Sequence, residues 1–115
     1  MVNMSFKEAI KLAEEINERF EKIEGKPWKA EGSMIELQKQ VGELARLIMT
    51  YENYYFSNRD KVDKYYDTSK EKIGDELADI LYAIIRIARY YNIDLEEAHI
   101  KARKAEDEFL KGKGV

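Results

Sequence analysis

Oxygen-bearing side chains recur at helical spacing in two segments of this chain of 115 residues. In the first segment Glu36, Gln40 and Glu43 follow at intervals of four and three, and in the second Glu76 and Asp79 are three apart. These intervals place side chains on one face of an α-helix. Carboxylates that converge in a half-buried seam repel one another unless a cation neutralises them. Oxygen ligands without cysteine favour Mg²⁺, with Mn²⁺ as the alternative, over zinc.

The same spacing is compatible with an ordinary solvated helix face, and the residues alone leave that alternative equally open. Glu43, Glu76 and Asp79 would then be surface acids in salt bridges. Their partners would be three cations of the same segments: Lys39, Arg46 and Lys72.

Two glycines, Gly42 and Gly74, lie within the segments that carry the acids. A glycine inside a helix costs roughly 1 kcal/mol relative to alanine. Their presence indicates either a close approach of two backbones or space kept for a ligand.

Four apolar patterns with a helical period predict four helices, and therefore an all-α, four-helix bundle-like fold. We expect the helices at about 6–23, 34–51, 69–91 and 95–110. Each pattern follows a capping residue with Glu three positions later, as in a capping box: Ser5–Glu8, Ser33–Glu36, Thr68–Glu71 and Asp94–Glu97. The second helix should bury Leu37, Val41, Leu44 and Ile48. We predict no helix or strand for the stretch 52–67, and we expect the tail 111–115 to fray.

Composition restricts the class of protein. The length predicts one domain, 1–115, and a chain this short would complete its core by self-association. The net charge of −3 gives no indication of a nucleic-acid groove, and the absence of cysteine excludes disulfides and thiolate sites. No apolar run suits a signal peptide or a membrane span, so we expect a cytoplasmic protein with no membrane partner.

Two motifs resemble those of the MazG-like nucleoside triphosphate pyrophosphohydrolases. They are VGELA at 41–45 and GDELADILY at 74–82, and YNIDLEEA at 91–98 resembles the family's link into its last helix. The similarity covers about 34–104. It implies the all-α NTP pyrophosphatase architecture, a homodimer or homotetramer, and Mg²⁺-dependent hydrolysis of ribo- or deoxyribonucleoside triphosphates to the monophosphate and pyrophosphate.

The resemblance assigns a metal site to four residues. Glu76 and Asp79 match the family's E-x-x-D motif, and Glu43 matches the last acid of its E-x-x-E motif. Gln40 stands where the first acid is expected, so it would offer only an amide oxygen. Glu43 is the first candidate to orient or deprotonate water, and Glu36, one turn before Gln40, is the second.

Contacts to the substrate would come from five other residues. Lys72, Arg86, Lys101 and Lys104 are the candidates to meet phosphates. Trp28 is the candidate to stack on the base. The alternatives are surface cations and a tryptophan that packs against the protein. The family's asparagine after the downstream lysines is missing here.

Three other functions remain open. A nucleotide- or metal-binding module of the same fold with weakened catalysis would explain Gln40. A plain helical oligomer with no ligand would use tyrosines at its interface: Tyr51, Tyr54, Tyr55, Tyr65 and Tyr66. Glu96 and His99 have the Glu-x-x-His spacing of di-iron bundles, but such a site needs a second copy.

Overall fold

The computed structural model describes residues 3–55 and 66–115, which form four α-helices. The helices are α1 (Phe6–Glu24), α2 (Ala30–Tyr51), α3 (Lys70–Tyr90) and α4 (Leu95–Gly112). No strand occurs in these two ranges. The predicted all-α class is therefore confirmed. Most of the unassigned stretch 52–67, Tyr65 included, lies outside the described residues.

The chain divides into two compact units, and the division falls within α3. We call Trp28–Ile84 the central unit; it contains α2 and most of α3. The terminal unit consists of Met1–Pro27 and Ile85–Val115, and it contains α1, the end of α3 and α4.

Two of the four predicted caps begin their helices as expected. Ser5 and Glu8 form a reciprocal capping box at α1, with N···O distances of 3.2 and 3.1 Å. The Asp94 carboxylate accepts from the Glu97 amide at 2.9 Å and begins α4. Both caps depend only on residues within one turn, which is why the sequence predicts them.

The other two predicted caps are wrong. Helix α2 begins at Ala30, so Ser33 lies inside it, 1% exposed, and its amide donates to the Lys29 carbonyl at 3.0 Å. Helix α3 is capped one residue later than predicted, because Ser69 Oγ accepts from the Lys72 amide at 3.1 Å. Thr68 instead donates its hydroxyl to the Leu47 carbonyl at 2.7 Å.

Packing of Trp28 accounts for the earlier start of α2. A Cβ atom on Gly32 would lie 3.3 Å from Trp28 Cε3, so the indole covers the first turn of the helix. Lys29 precedes the helix in an extended conformation, and its side chain makes no capping hydrogen bond within the described chain. An apolar contact thus takes the place of a side-chain cap.

Asparagines in the left-handed conformation end two helices. Asn53 (φ 60°) follows α2, and Asn92 (φ 55°) follows α3. The next amides turn back to helix carbonyls, Tyr54 to Met49 at 3.0 Å and Ile93 to Ala88 at 2.8 Å. These are Schellman-type ends, in which asparagine tolerates the left-handed conformation.

Helix α4 runs further than expected. It continues to Gly112, and the Val115 amide still donates to the Leu110 carbonyl at 3.1 Å. Fraying of the whole tail 111–115 was therefore a wrong expectation.

Among the described residues, four apolar side chains are buried. The buried ones are Leu47 and Ala83 in the central unit and Ile85 and Ala88 in the terminal unit. Val41 and Ile48, predicted to be buried, are 48% and 40% exposed. The apolar stripe of α2 is therefore only partly covered by the described chain. In the described ranges, no helix is long and apolar enough to cross a membrane.

Candidate metal centre

Two predicted acids of the central unit act electrostatically on a third, Glu76. Glu43 comes from α2, and Glu76 and Asp79 come from α3. Burial raises the pKa of the Glu76 carboxyl above its usual range, and the charges of Asp79 and Glu43 raise this pKa further. Glu76 Oε2 is buried and has no hydrogen-bond partner among the described residues. Glu76 is thus a half-buried acid that faces two like charges. A cation site without its cation is expected to have this kind of electrostatic environment.

Two cations partly offset this repulsion. Lys39 and Arg46, both on α2, lower the pKa of Glu76, but their effects are smaller than those of burial and the neighbouring acids. The pKa of the Glu76 carboxyl therefore stays above its usual range despite these two cations.

Glu43 is held by an ion pair within its own helix. Arg46 Nη2 lies 2.9 Å from Glu43 Oε2, and the two side chains are 18% and 41% exposed. Arg46 Nη1 also donates a long hydrogen bond, 3.5 Å, to the Asp67 carbonyl. The salt-bridge alternative that named Arg46 as a partner is therefore correct for Glu43, while Glu76 Oε2 lacks such a contact in the described chain.

Glu36 and Gln40 contact each other one turn earlier on α2. Gln40 Nε2 donates to Glu36 Oε1 at 2.9 Å, and Lys39 Nζ lies 3.8 Å from the same oxygen. The acids whose charges raise the pKa of Glu76 are Asp79 and Glu43. Of the two candidate bases, Glu43 is thus the one that the structure connects electrostatically to the α3 acids.

The donor chemistry suits a hard divalent cation, but the side chains do not form a ready coordination shell. Within 3–55 and 66–115, no three His, Cys, Asp or Glu side chains are placed to hold a metal ion. The buried oxygen of Glu76 and the carboxylates of Asp79 and Glu43 are ligands of the kind that Mg²⁺ prefers. The residues fit such an ion in chemical type, and Glu43 would have to give up its contact with Arg46 to bind it.

The two glycines near the acids do not mark a close backbone approach. A Cβ atom at Gly42 or Gly74 would meet nothing within 4 Å in the described chain. That explanation is wrong for both positions, which are exposed on their helices. The close contact occurs instead at Gly32, beneath Trp28.

The predicted substrate residues divide between the units. Trp28 and Lys72 belong to the central unit. The indole of Trp28 packs on Gly32 and is 38% exposed, in keeping with the packing alternative. Lys72 forms an ion pair with Asp67, a residue that the sequence analysis did not single out.

The remaining three cations belong to the terminal unit. Arg86 is half-buried on α3, while Lys101 and Lys104 are exposed on α4. These two lysines line an open groove along α4 that also carries three acids, Glu96, Glu97 and Glu108. Acids therefore outnumber the lysines in this groove, and it is not a basic phosphate site by itself.

His99 has contacts that do not resemble a metal ligand. Its ring lies 6.2 Å from that of Phe6, and its Nδ1 lies 3.3 Å from Arg103 Nη1. An arginine beside a ring nitrogen opposes a second cation there. The contacts favour a packing role over the di-iron alternative.

Comparison with protein-family models, with curated proteins and with solved structures found no match for this chain. The resemblance to the MazG-like family rests on the motifs at 41–45, 74–82 and 91–98.

Proposed function

We propose that this chain is a nucleoside triphosphate pyrophosphohydrolase of the MazG-like kind, with the all-α NTP pyrophosphatase architecture and a dependence on Mg²⁺ or Mn²⁺. The observation that carries the proposal is the Glu76 carboxylate. It has a buried oxygen without a hydrogen-bond partner in the described chain, and it faces the charges of Asp79 and Glu43. Such a place disfavours a carboxylate, and a bound cation would offset both the burial and the repulsion.

The residues can be given roles in this reaction. Glu76, Asp79 and Glu43 would hold the cation, and Gln40 would add its amide oxygen after leaving Glu36. A bound Mg²⁺ would supply Lewis-acid stabilisation of the charge that develops on the triphosphate. Glu43 is 41% exposed, so water reaches it, and it orients that water and accepts its proton. The water oxygen bonds to the α-phosphorus, the bond to the bridging oxygen breaks, and pyrophosphate leaves.

A panel of ribo- and deoxyribonucleoside triphosphates tests this proposal. Each is incubated with Mg²⁺, with Mn²⁺ or with a chelator, and pyrophosphate and orthophosphate are measured separately. We expect pyrophosphate, in the presence of metal only, and no release by Glu76→Gln. Orthophosphate as the main product, or equal rates in the chelator, would contradict the proposal.

A second candidate function is a nucleotide- or metal-binding module with weakened catalysis. The hydrogen bond between Gln40 and Glu36 favours it, because the amide that replaces an acid is engaged with the nearest acid that could substitute. Cation binding without pyrophosphate release on the whole panel would support this candidate over the first.

We also propose a homodimer or homotetramer in the cytoplasm. Large apolar side chains of α2 and α3 remain exposed, among them Val41 and Leu77 at 48% and 53%. Their burial by a second copy would be worth about 25 cal/mol per Å² of apolar area removed from water. Light scattering at micromolar concentration measures the assembly directly.

A further inference from the structure

Arg46 is the cation most closely integrated with the acids of the central unit. Its Nη2 pairs with Glu43 Oε2 at 2.9 Å, and its Nη1 donates to the Asp67 carbonyl. It is 18% exposed, whereas Lys39, the other cation near Glu76, is 66% exposed and lies 3.8 Å from its carboxylate partner. The guanidinium is thus less screened by water than Lys39 and is held at two points.

The position of Arg46 conflicts with a simple metal site. A divalent cation bound by Glu43 and Glu76 would compete with Arg46 for the Glu43 carboxylate and would be repelled by its charge. A guanidinium that gives up this carboxylate loses an ion pair at a position that is only 18% exposed. An anionic oxygen of a phosphate has the charge and geometry to replace the carboxylate.

We propose that Arg46 is the internal counter-cation and positioning residue of this site: it neutralises Glu43 in the cation-free protein and exchanges that carboxylate for a phosphate oxygen when Glu43 turns to a divalent cation. The proposal rests on the proposed function and adds a residue for which the family motifs give no role.

The exchange predicts opposite effects on two ligands. Removing the charge of Arg46 should strengthen binding of Mg²⁺ alone, because a competitor and a repelling charge are both lost. The same change should weaken binding of a phosphate ligand, because its partner is lost. If Arg46 had a purely structural role, its replacement would weaken the binding of both ligands or of neither.

The test is calorimetric titration of the full chain, first with Mg²⁺ alone and then with inorganic pyrophosphate at saturating Mg²⁺. Pyrophosphate is the proposed product and needs no knowledge of the base. For Arg46→Gln we expect Mg²⁺ affinity to rise about fivefold and pyrophosphate affinity to fall roughly tenfold. The matched control is Lys70→Gln, which removes the same charge from an exposed position of the central unit that is not among the charges shifting the pKa of Glu76, and it should change either affinity by less than about twofold.

Arg46→Lys keeps the charge and guards against a variant that fails to fold. Because lysine keeps the positive charge, Mg²⁺ affinity should stay near that of the parent. Because lysine cannot make two parallel hydrogen bonds to a phosphate, pyrophosphate binding should still weaken. If folded Arg46→Gln binds Mg²⁺ no more tightly than the parent, the exchange is wrong while the proposed metal site stands. If Arg46→Gln does not fold and Arg46→Lys weakens both ligands equally, the exchange is also wrong. A parent that binds no Mg²⁺ overturns both the exchange and the proposed function.

Discussion

Replacing Glu76 by Gln should stabilise the cation-free protein at neutral pH. The carboxylate has a buried oxygen without a partner in the described chain, and such a group typically costs about 1–3 kcal/mol. Its repulsion by Asp79, three residues away on α3, adds roughly 0.2–0.5 kcal/mol. Glutamine still buries a polar atom and recovers only part of this sum, so we expect a gain of about 1 kcal/mol. For a chain of this size the gain corresponds to a rise in Tm of roughly 4 °C.

The pH dependence of stability tests independently whether the Glu76 carboxylate destabilises the folded protein. The folded pKa of Glu76 is raised above the ordinary carboxyl value of 4.5, so the folded protein binds this proton more tightly than the unfolded chain does. The destabilisation is therefore fully present above the folded pKa and disappears as pH falls through that pKa to below 4.5. The advantage of Glu76→Gln should shrink over the same window. Saturating Mg²⁺ at pH 7.5 should make the parent the more stable of the two proteins, because only the parent retains the Glu76 carboxylate as a metal ligand.

Thermal unfolding followed by circular dichroism at 222 nm, with EDTA or Mg²⁺ and at several pH values, measures all of these effects. Asp75→Asn is the matched control, because it removes one negative charge from an exposed position of the same helix. Its effect should stay within about 0.5 kcal/mol. The reasoning is refuted if Glu76→Gln is less stable than the parent in EDTA at pH 7.5. A gain that is equally large at pH 4 would also refute it.

Three further changes test the site and the assembly. Asp79→Asn should weaken Mg²⁺ binding in calorimetry and abolish pyrophosphate release, while the helical circular dichroism signal stays at the parent level. Gln40→Glu should lower Tm in EDTA, since it places a like charge beside Glu36, and should raise both Mg²⁺ affinity and turnover; a tenfold rise would equal about 1.4 kcal/mol. Leu77→Lys should shift the mass in light scattering toward the monomer, and an unchanged mass would exclude this part of α3 from the interface.

Helix limits were predictable where local hydrogen bonds determine them. The caps at Ser5 and Asp94 are confirmed because each is completed within one turn of its own helix. Ser33 and Thr68 have the same local pattern but are engaged elsewhere: Ser33 is buried inside α2, and Thr68 donates to Leu47. A capping pattern cannot distinguish these cases, because contacts distant in sequence outweigh a cap worth about 1 kcal/mol.

Burial was less predictable than helix limits. The apolar stripe through Val41 and Ile48 was recognised correctly as apolar, but both side chains are largely exposed in the described chain. Periodicity identifies the face that avoids water and not the surface that covers it. The buried apolar residue of α2 is instead Leu47, 3% exposed, on a face that the stripe did not include.

The candidate site was predictable in its acids and not in its cations. The motif spacing selected Glu43, Glu76 and Asp79, and the charges of Asp79 and Glu43 raise the pKa of Glu76 in the structure. Arg46 entered the sequence analysis only as a salt-bridge partner, although its spacing of three from Glu43 was a usable signal. Asp67, which contacts both Arg46 and Lys72, could not be foreseen, since the path of the connection before α3 determines its position.

Gln40 and Arg46 have related electrostatic consequences. The pattern of the MazG-like family implies four acids around the cation, whereas the site proposed for this chain has three, and one of them is paired with Arg46. Both features reduce the negative charge that a divalent cation would meet, and so weaken cation binding in the absence of substrate. A phosphate ligand that occupies Arg46 removes part of that weakness, because it releases Glu43 and adds negative charge. The reduced charge is therefore compatible with an active enzyme whose cation binds together with its triphosphate, and Gln40 alone does not imply that catalysis has been lost.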